Sequence, residues 1–346
     1  MIKLNARDLA GSDTIITAND LLYVSSDTIY PIIKNKLSDD LKNNFEIFRN
    51  KYKFRSLIAH LFENFFFEEI TIDKIHTITV PPGRKFILKP SSGFMGGANF
   101  VIDARTDKKK IAEEVEKELI DFNKMYPRAF SEKMILEDYI DGKDEYAVDM
   151  YYNTKGQAVI LGIYVHPQAV NNKYVQLLYY FNKEIYQKLA SELTRFFDTL
   201  NKELNIKNFP IHAEFKINHN GQFIPIEFNP CRFGGMGLVD LAYYGMGINF
   251  IKTYFEQQSV DWHQWTSENF YWLLGYNDKN ERSPLFKPDH RLLKNVLSKG
   301  FDLLNYTEID HTNFPVFSIS YLKNNTIATI DSLLSIDFKE FNQKVQ

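Results

Sequence analysis

Residues 212–235, HAEFKINHNGQFIPIEFNPCRFGG, constrain the fold more than any other stretch of this chain. Residues 211–217 and 222–228 read as two strands on either side of His219-Asn220-Gly221, and Asn-Gly between two such runs is the strongest short-range signal for a β-hairpin. Every second side chain of a strand shares a face, so Glu227 and Asn229 point the same way. Closing the hairpin brings Glu214 roughly opposite Glu227. Carboxylates that close repel unless a cation lies between them, and acids interleaved with Ile224, Ile226 and Phe228 would be costly to bury alone. Oxygen ligands from Glu214, Glu227 and Asn229 suit Mg²⁺ or Mn²⁺, with nucleotide phosphates completing the shell. Arg232, just beyond Cys231, stands where it could reach a transferred phosphoryl group or a substrate carboxylate.

Three further segments carry chemistry. In FILKPSSGFMGGANFVI, residues 86–102, a strand ending near Lys89 enters a small-residue loop at 91–97 and returns as a strand at 100–103. Glycines let a backbone approach closely enough for N–H groups to meet phosphate oxygens, and Lys89 adds a point charge. The order differs from a Walker A loop because the lysine precedes the glycines. In LEDYIDGKDEYAVDM, residues 136–150, Glu137 and Glu145 flank a turn at Asp141-Gly142. A strand edge there can offer backbone groups to an adenine, and a carboxylate past the turn can accept from two ribose hydroxyls. In NKYKFR, residues 50–55, Lys51 could meet phosphates from the other side; the plainer reading is an exposed basic helix start.

The surrounding pattern is mixed α/β. Thr14–Thr17 and Leu21–Ser25 are short apolar runs that could form strands of a small sheet, followed by a polar stretch to about residue 50. Phe54, Leu57, Ile58, Leu61, Phe62 and Phe65 predict a helix, as do Ile111, Val115, Leu119 and Phe122, with Asp107 as N-cap. Strands are expected at 134–140, 146–152 and 157–165. A long amphipathic helix carries Ile185, Leu189, Leu193, Phe196, Phe197, Leu200 and Leu204. Glycines 234, 235 and 237 precede a helical pattern running to about residue 255, and residues from 261 on read as an α/β tail without legible chemistry.

Composition excludes several classes. With 41 Lys and Arg against 44 Asp and Glu, the net charge of −3 lacks the basic excess that nucleic-acid binding draws on. A single cysteine forbids an intramolecular disulfide or a thiolate zinc cluster. No run approaches the roughly 20 apolar residues of a membrane helix. Lys3, Arg7 and Asp8 sit where a signal peptide would need an apolar core, so a cytoplasmic protein is expected.

Taken in order, these segments resemble the ATP-grasp superfamily, especially its carboxylate–amine ligases acting on amino acids and peptides. The resemblance runs from about Lys51 to Phe255 and is strongest at Glu214, Glu227 and Asn229, spaced thirteen and then two residues apart. It implies an α/β (α+β) ATP-grasp fold with two α/β subdomains gripping the nucleotide: a short N-terminal lobe at 1–50, a lid subdomain at 51–138, a large subdomain with the metal site at 139–260, and a C-terminal α/β extension at 261–346. It implies that Lys51, Lys89 and the loop with Ser91, Ser92, Gly93, Gly96 and Gly97 contact ATP phosphates. Glu137, Asp138, Tyr139 and Ile140 line the adenine, Glu145 holds the ribose, and Glu214, Glu227 and Asn229 carry two Mg²⁺ (or Mn²⁺) ions. Arg232 and Lys89 are the implied catalytic residues. Cys231 intervenes where many members run Asn-Pro-Arg, which displaces Arg232 by one position. The implied reaction joins a small-molecule acid to an amine through an acyl phosphate; an ATP-grasp phosphotransferase and a non-catalytic nucleotide-binding module are the alternatives. A homodimer stays open.

Overall fold

The computed structural model describes residues 6–93, 97–125, 131–142, 144–167, 178–262, 265–276, 286–312, 316–327 and 330–344. The chain forms two units. Unit 1 comprises Met1–Gly142, Thr154–Gln157 and Thr199–Arg232; unit 2 comprises Lys143–Asn153, Ala158–Asp198 and Phe233–Gln346.

Unit 1 opens with helices: α1 (Ala6–Gly11), α2 (Tyr30–Ile33), α3 (Asp39–Arg49) and α4 (Lys51–Leu57). The small sheet expected within the first fifty residues is absent among the described residues. Residue 16 makes only an isolated bridge to Leu37, and 21–25 form no strand. The polar stretch hides a helix instead: Leu41, Phe45 and Phe48 recur at four and three residues among Asp, Lys and Asn, and all three are buried. Asn50 caps α4 by accepting from the Lys53 amide at 2.9 Å. α4 is shorter than its apolar spacing predicts. It passes into a 3₁₀ turn at Ala59–Leu61, and Asn64 lies in the left-handed region (φ 69°).

Strands β1 (Phe67–Thr71), β2 (Phe86–Pro90), β3 (Phe100–Ile102) and β4 (Lys133–Asp138) build an antiparallel sheet in the order β1-β4-β2-β3. Helix α5 (Lys108–Met125) starts at Asp107, whose carboxylate accepts from the Lys109 and Lys110 amides. Its Val115 and Leu119 close a core with Ile75, Leu88, Ile102, Met134 and Leu136. The other part of unit 1 is the hairpin β8 (Phe209–Ile217) and β9 (Phe223–Pro230). Asn218 builds its turn, accepting from the amides of Asn220 and Gln222 at 3.0 Å each, while Gly221 supplies φ 77°. Phe48, Phe54, Phe209, Phe215 and Phe228 form one ring cluster, with Phe54 and Phe228 centroids 4.3 Å apart, so α3 and α4 lie against the hairpin.

In unit 2, β5 (Asp144–Tyr152), β6 (Ala158–Pro167), β7 (Leu178–Phe181), β10 (Asn269–Tyr276), β12 (Asp302–Glu308) and β13 (Val316–Asn324) hydrogen-bond in the order β12-β13-β10-β7-β6-β5. The pair β11 (Phe286–Pro288) and β14 (Asn342–Lys344) lies apart from them. The long helix α6 (Lys183–Leu204), which belongs to unit 2 as far as Asp198 and to unit 1 from Thr199, buries Leu189, Leu193, Phe197 and Leu200, the stripe its spacing predicts. Helices α7 (Leu241–Met246), α8 (Phe250–Phe255), α9 (His290–Leu297) and α10 (Ile330–Leu334) complete the unit. The tail shares a core with β7, in which Leu293, Leu297, Phe338 and Phe341 pack with Leu178, Tyr271, Leu273 and Phe317. Among the described residues, no helix is long and apolar enough to cross a membrane.

Candidate functional site

The register of the β8–β9 hairpin sets up the site. From the turn outward, Ile217 pairs with Phe223, Lys216 with Ile224 and Phe215 with Pro225; the register then slips, and Glu214 pairs with Glu227. Ile226 is therefore the extra residue of a β-bulge. In an unbroken ladder Glu214 would face Ile226, and Glu227 would turn to the opposite face of the hairpin. With the bulge, His212 opposite Asn229 and Glu214 opposite Glu227 share one face. His212 Nε2 lies 3.6 Å from Glu214 Oε1. Pro225, which has no N–H to donate, sits at the bulge, where the ladder is already broken.

Cations from the rest of unit 1 converge here. Lys51, at the start of α4, places Nζ 3.2 Å from Glu227 Oε2 and donates to the Gly93 carbonyl at 3.0 Å. Lys89 and Glu137 are diagonal neighbours across β2 and β4, and Lys89 Nζ reaches Glu137 Oε1 at 2.6 Å and the Ile226 carbonyl at 3.2 Å. Arg55, one turn after Lys51, reaches Glu137 Oε2 at 3.0 Å and the Pro225 carbonyl at 2.6 Å, with its guanidinium 4.4 Å from the Phe65 ring centroid. Arg55, Lys89 and Glu137 are all almost fully buried. Burial pushes the Lys89 ammonium below its usual range against the pull of Glu137. Burial also raises Glu137, but Lys89 and Arg55 together outweigh it and hold the carboxyl below its usual range.

The small-residue loop is tied down where it leaves β2. Ser91 is buried, accepts from the Lys51 amide at 2.7 Å through its carbonyl, and turns its hydroxyl to Glu69. The Ser92 carbonyl accepts from the Ser131 amide at 2.9 Å. Gly97 is buried; Gly96 lies outside the described residues. At the edge read as the adenine contact, the Asp138 carboxylate accepts from the Phe66 amide and from Arg84, and the Tyr139 amide donates to the Lys85 carbonyl. Ile140 is half-buried, and Lys85 and Lys216 lie 5.8 and 5.6 Å from the Tyr139 ring centroid. Glu145 belongs to unit 2, opposite His166 at 3.9 Å. Arg232 is half-buried and follows Cys231, whose own side chain is fully buried and whose backbone is left-handed at φ 57°.

The family of ATP-grasp domains matches residues 83–240, just under half the chain. Those residues of the chain are similar to ATP-grasp domains. Solved structures share its fold: an L-amino acid ligase from Bacillus licheniformis (16% identity, 87% of this chain and 72% of that one, TM-score 0.59); a carboxyaminoimidazole ribonucleotide synthase from Aspergillus clavatus in complex with ATP (13% identity, 95% and 82%, TM-score 0.60); and a biotin carboxylase from Campylobacter jejuni (13% identity, 89% and 72%, TM-score 0.59). No curated protein matches the sequence significantly.

Glu214, Glu227 and Asn229 offer oxygen donors on one face of the bulged hairpin, which the His212 imidazole shares. Among the described residues, no group of three His, Cys, Asp or Glu side chains could hold a metal by itself. That donor set fits a hard divalent cation that keeps waters and takes further oxygens from a phosphate chain. Sequence reasoning passed over Arg55. Its signal was the spacing of four from Lys51, which puts both cations on one face of α4.

Proposed function

We propose that this chain is an ATP-dependent ligase that joins a carboxylate to an amine, with an amino acid or peptide among its substrates, and that it releases ADP and phosphate. The observation that carries the reading is the bulge at Ile226, which sets two carboxylates against each other beside Lys51 and gives the Lys89–Glu137–Arg55 triad two carbonyls to hold. Opposed acids ringed by buried cations are a costly arrangement for a structural hairpin and a useful one for a triphosphate with its metal ions.

In this reading a substrate carboxylate oxygen attacks the γ-phosphorus, the bond to the β–γ bridging oxygen breaks, and ADP leaves. The amine nitrogen then attacks the acyl carbon of the resulting acyl phosphate, phosphate departs with the C–O electron pair, and the amine sheds a proton to solvent. Lys51 and Lys89 supply positive charge to the transferring phosphoryl group. Glu137 and Arg55 fix where Lys89 points. The loop after Lys89 covers the phosphates and keeps water from the acyl phosphate. The Tyr139–Ile140 backbone holds the adenine and Glu145 the ribose. Arg232 stabilises the oxyanion that develops during amine attack. Glu214, Glu227 and Asn229 would hold Mg²⁺, whose charge neutralises the phosphate oxygens when bound.

The test is a phosphate-release screen of amino acids, singly and in pairs, with Mg²⁺ and ATP. Amine-dependent ADP release that disappears in Glu227→Gln supports the ligase; ADP release on a lone acid that no amine accelerates marks a phosphotransferase. An unchanged rate in Glu227→Gln would remove the metal assignment.

A further inference from the structure

The segment after residue 261 supplies side chains to the glycine-rich loop that follows Arg232. In unit 2, Trp272 on β10 stands directly between Tyr179 on β7 and Tyr321 on β13 as a cross-strand neighbour of both. Trp272 donates its indole N–H to the Met236 carbonyl at 3.2 Å, and Tyr321 donates its hydroxyl to the Gly237 carbonyl at 3.0 Å. From the other end, fully buried Asp149 on β5 accepts from the Gly234 amide at 2.8 Å and from the Tyr164 hydroxyl at 3.1 Å.

The loop needs such holding. Met236 (φ 51°) and Gly237 (φ 78°) are consecutive left-handed residues, and the first has a side chain that disfavours that conformation. A Cβ added to Gly237 would come within 2.4 Å of the Tyr321 hydroxyl, so the choice of glycine and the position of Tyr321 answer each other. The Gly234 and Gly235 carbonyls accept from Val239 and Leu238. With every carbonyl from 234 to 237 and the Gly234 amide engaged, the amides of Gly235, Met236 and Gly237 are what the loop has left to offer.

We infer that Trp272 and Tyr321 are positioning residues for the ligation step, holding residues 234–237 in the one backbone form that follows Arg232. The inference rests on the proposed function, because it takes the loop to serve the acyl-transfer half of the reaction rather than nucleotide binding. It also assigns the C-terminal segment a part in that step.

Tyr321→Phe is the decisive variant, since it removes the hydroxyl and keeps the ring packed 4.5 Å from Tyr244. Trp272→Phe is the second, should the first disturb folding. Losing one neutral hydrogen bond predicts about 3- to 10-fold faster amide exchange in residues 233–240 and a similar fall in kcat for amine-dependent ADP release. Affinity for a non-hydrolysable ATP analogue with Mg²⁺, read by calorimetry, stays within a factor of about two. Wild-type exchange and kcat in both variants would overturn the inference, as would a loss of nucleotide affinity that accounts for the whole fall in kcat. Wild-type protein that binds no nucleotide would instead refute the proposed function, and this role with it.

Discussion

Glu137→Gln should destabilise unit 1 far more than Lys89→Met, although the two side chains form one ion pair. In the native protein a single carboxylate, 2% exposed, stands between a lysine and an arginine that are 2% and 3% exposed. Removing Lys89 leaves Arg55 and Glu137 as a neutral pair, and the main loss is one charge-assisted hydrogen bond, about 1.5–3 kcal/mol. Removing the charge of Glu137 leaves two buried cations facing each other. Lys89 can relieve this by giving up its proton, since burial already lowers its pKa. Arg55 cannot, so an uncompensated guanidinium remains, at a cost of about 3–5 kcal/mol. The double variant should recover about 1–2 kcal/mol relative to the sum of the single ones, because the repulsion is gone. All three tryptophans, Trp262, Trp265 and Trp272, belong to unit 2, so indole fluorescence does not report on this region. Amide exchange in β2 and β4 does. Equal protection losses in the two single variants, or strict additivity in the double one, would refute the reasoning.

The same triad sets an acid limit. The Glu137 pKa is held below its unfolded value, so its contribution to stability is complete above the ordinary carboxylate range and is lost as pH falls through the depressed folded value. Exchange protection of β4 should therefore decline with acid in wild type, and Glu137→Gln should lack that part of the decline. Lys89, with its folded pKa lowered, works in the alkaline direction: unit 1 should gain stability as pH rises toward the unfolded lysine value, and Lys89→Met should abolish the gain. Asp149→Ala removes the buried acceptor of the Gly234 amide and the Tyr164 hydroxyl and should cost about 2 kcal/mol, read from indole fluorescence in urea. Gly221→Ala meets open space but keeps φ 77°, so its cost of about 1 kcal/mol is purely conformational and should appear as faster exchange in β8 and β9.

How much of this could be read in advance depended on whether the deciding signal was local. The hairpin was legible because Asn220-Gly221 and the alternation around it act within a few residues, and α6 was legible because its stripe runs over several turns. Helix α3 was not, since its three apolar residues lie among Asp, Lys and Asn and are fixed by packing on Phe209 and Phe228, far along the chain. The triad stayed hidden for the same reason: Glu137 reads as an acid beside a turn until β2 and α4 bring Lys89 and Arg55 to it.

Ile226 shows where the two kinds of signal meet. Counting outward from the turn places Glu214 opposite Ile226, one residue short of the acid, and alternation alone would then put Glu214 and Glu227 on different faces. The bulge that corrects this has no local signature beyond Pro225, which cannot donate to the ladder. What holds it is distant: the carbonyls of Pro225 and Ile226, freed from regular pairing, are taken by Arg55 and Lys89, which Glu137 in turn keeps in place. The register of the acid pair and the burial of the Lys89–Glu137–Arg55 triad are therefore one structural fact. A substitution at Glu137 should disturb the facing of Glu214 and Glu227 without touching either, and loss of Mn²⁺ affinity in Glu137→Gln, measured by electron paramagnetic resonance on folded protein, is the expected result. Unaltered Mn²⁺ affinity would separate the two features and leave the bulge to be explained by Pro225 alone.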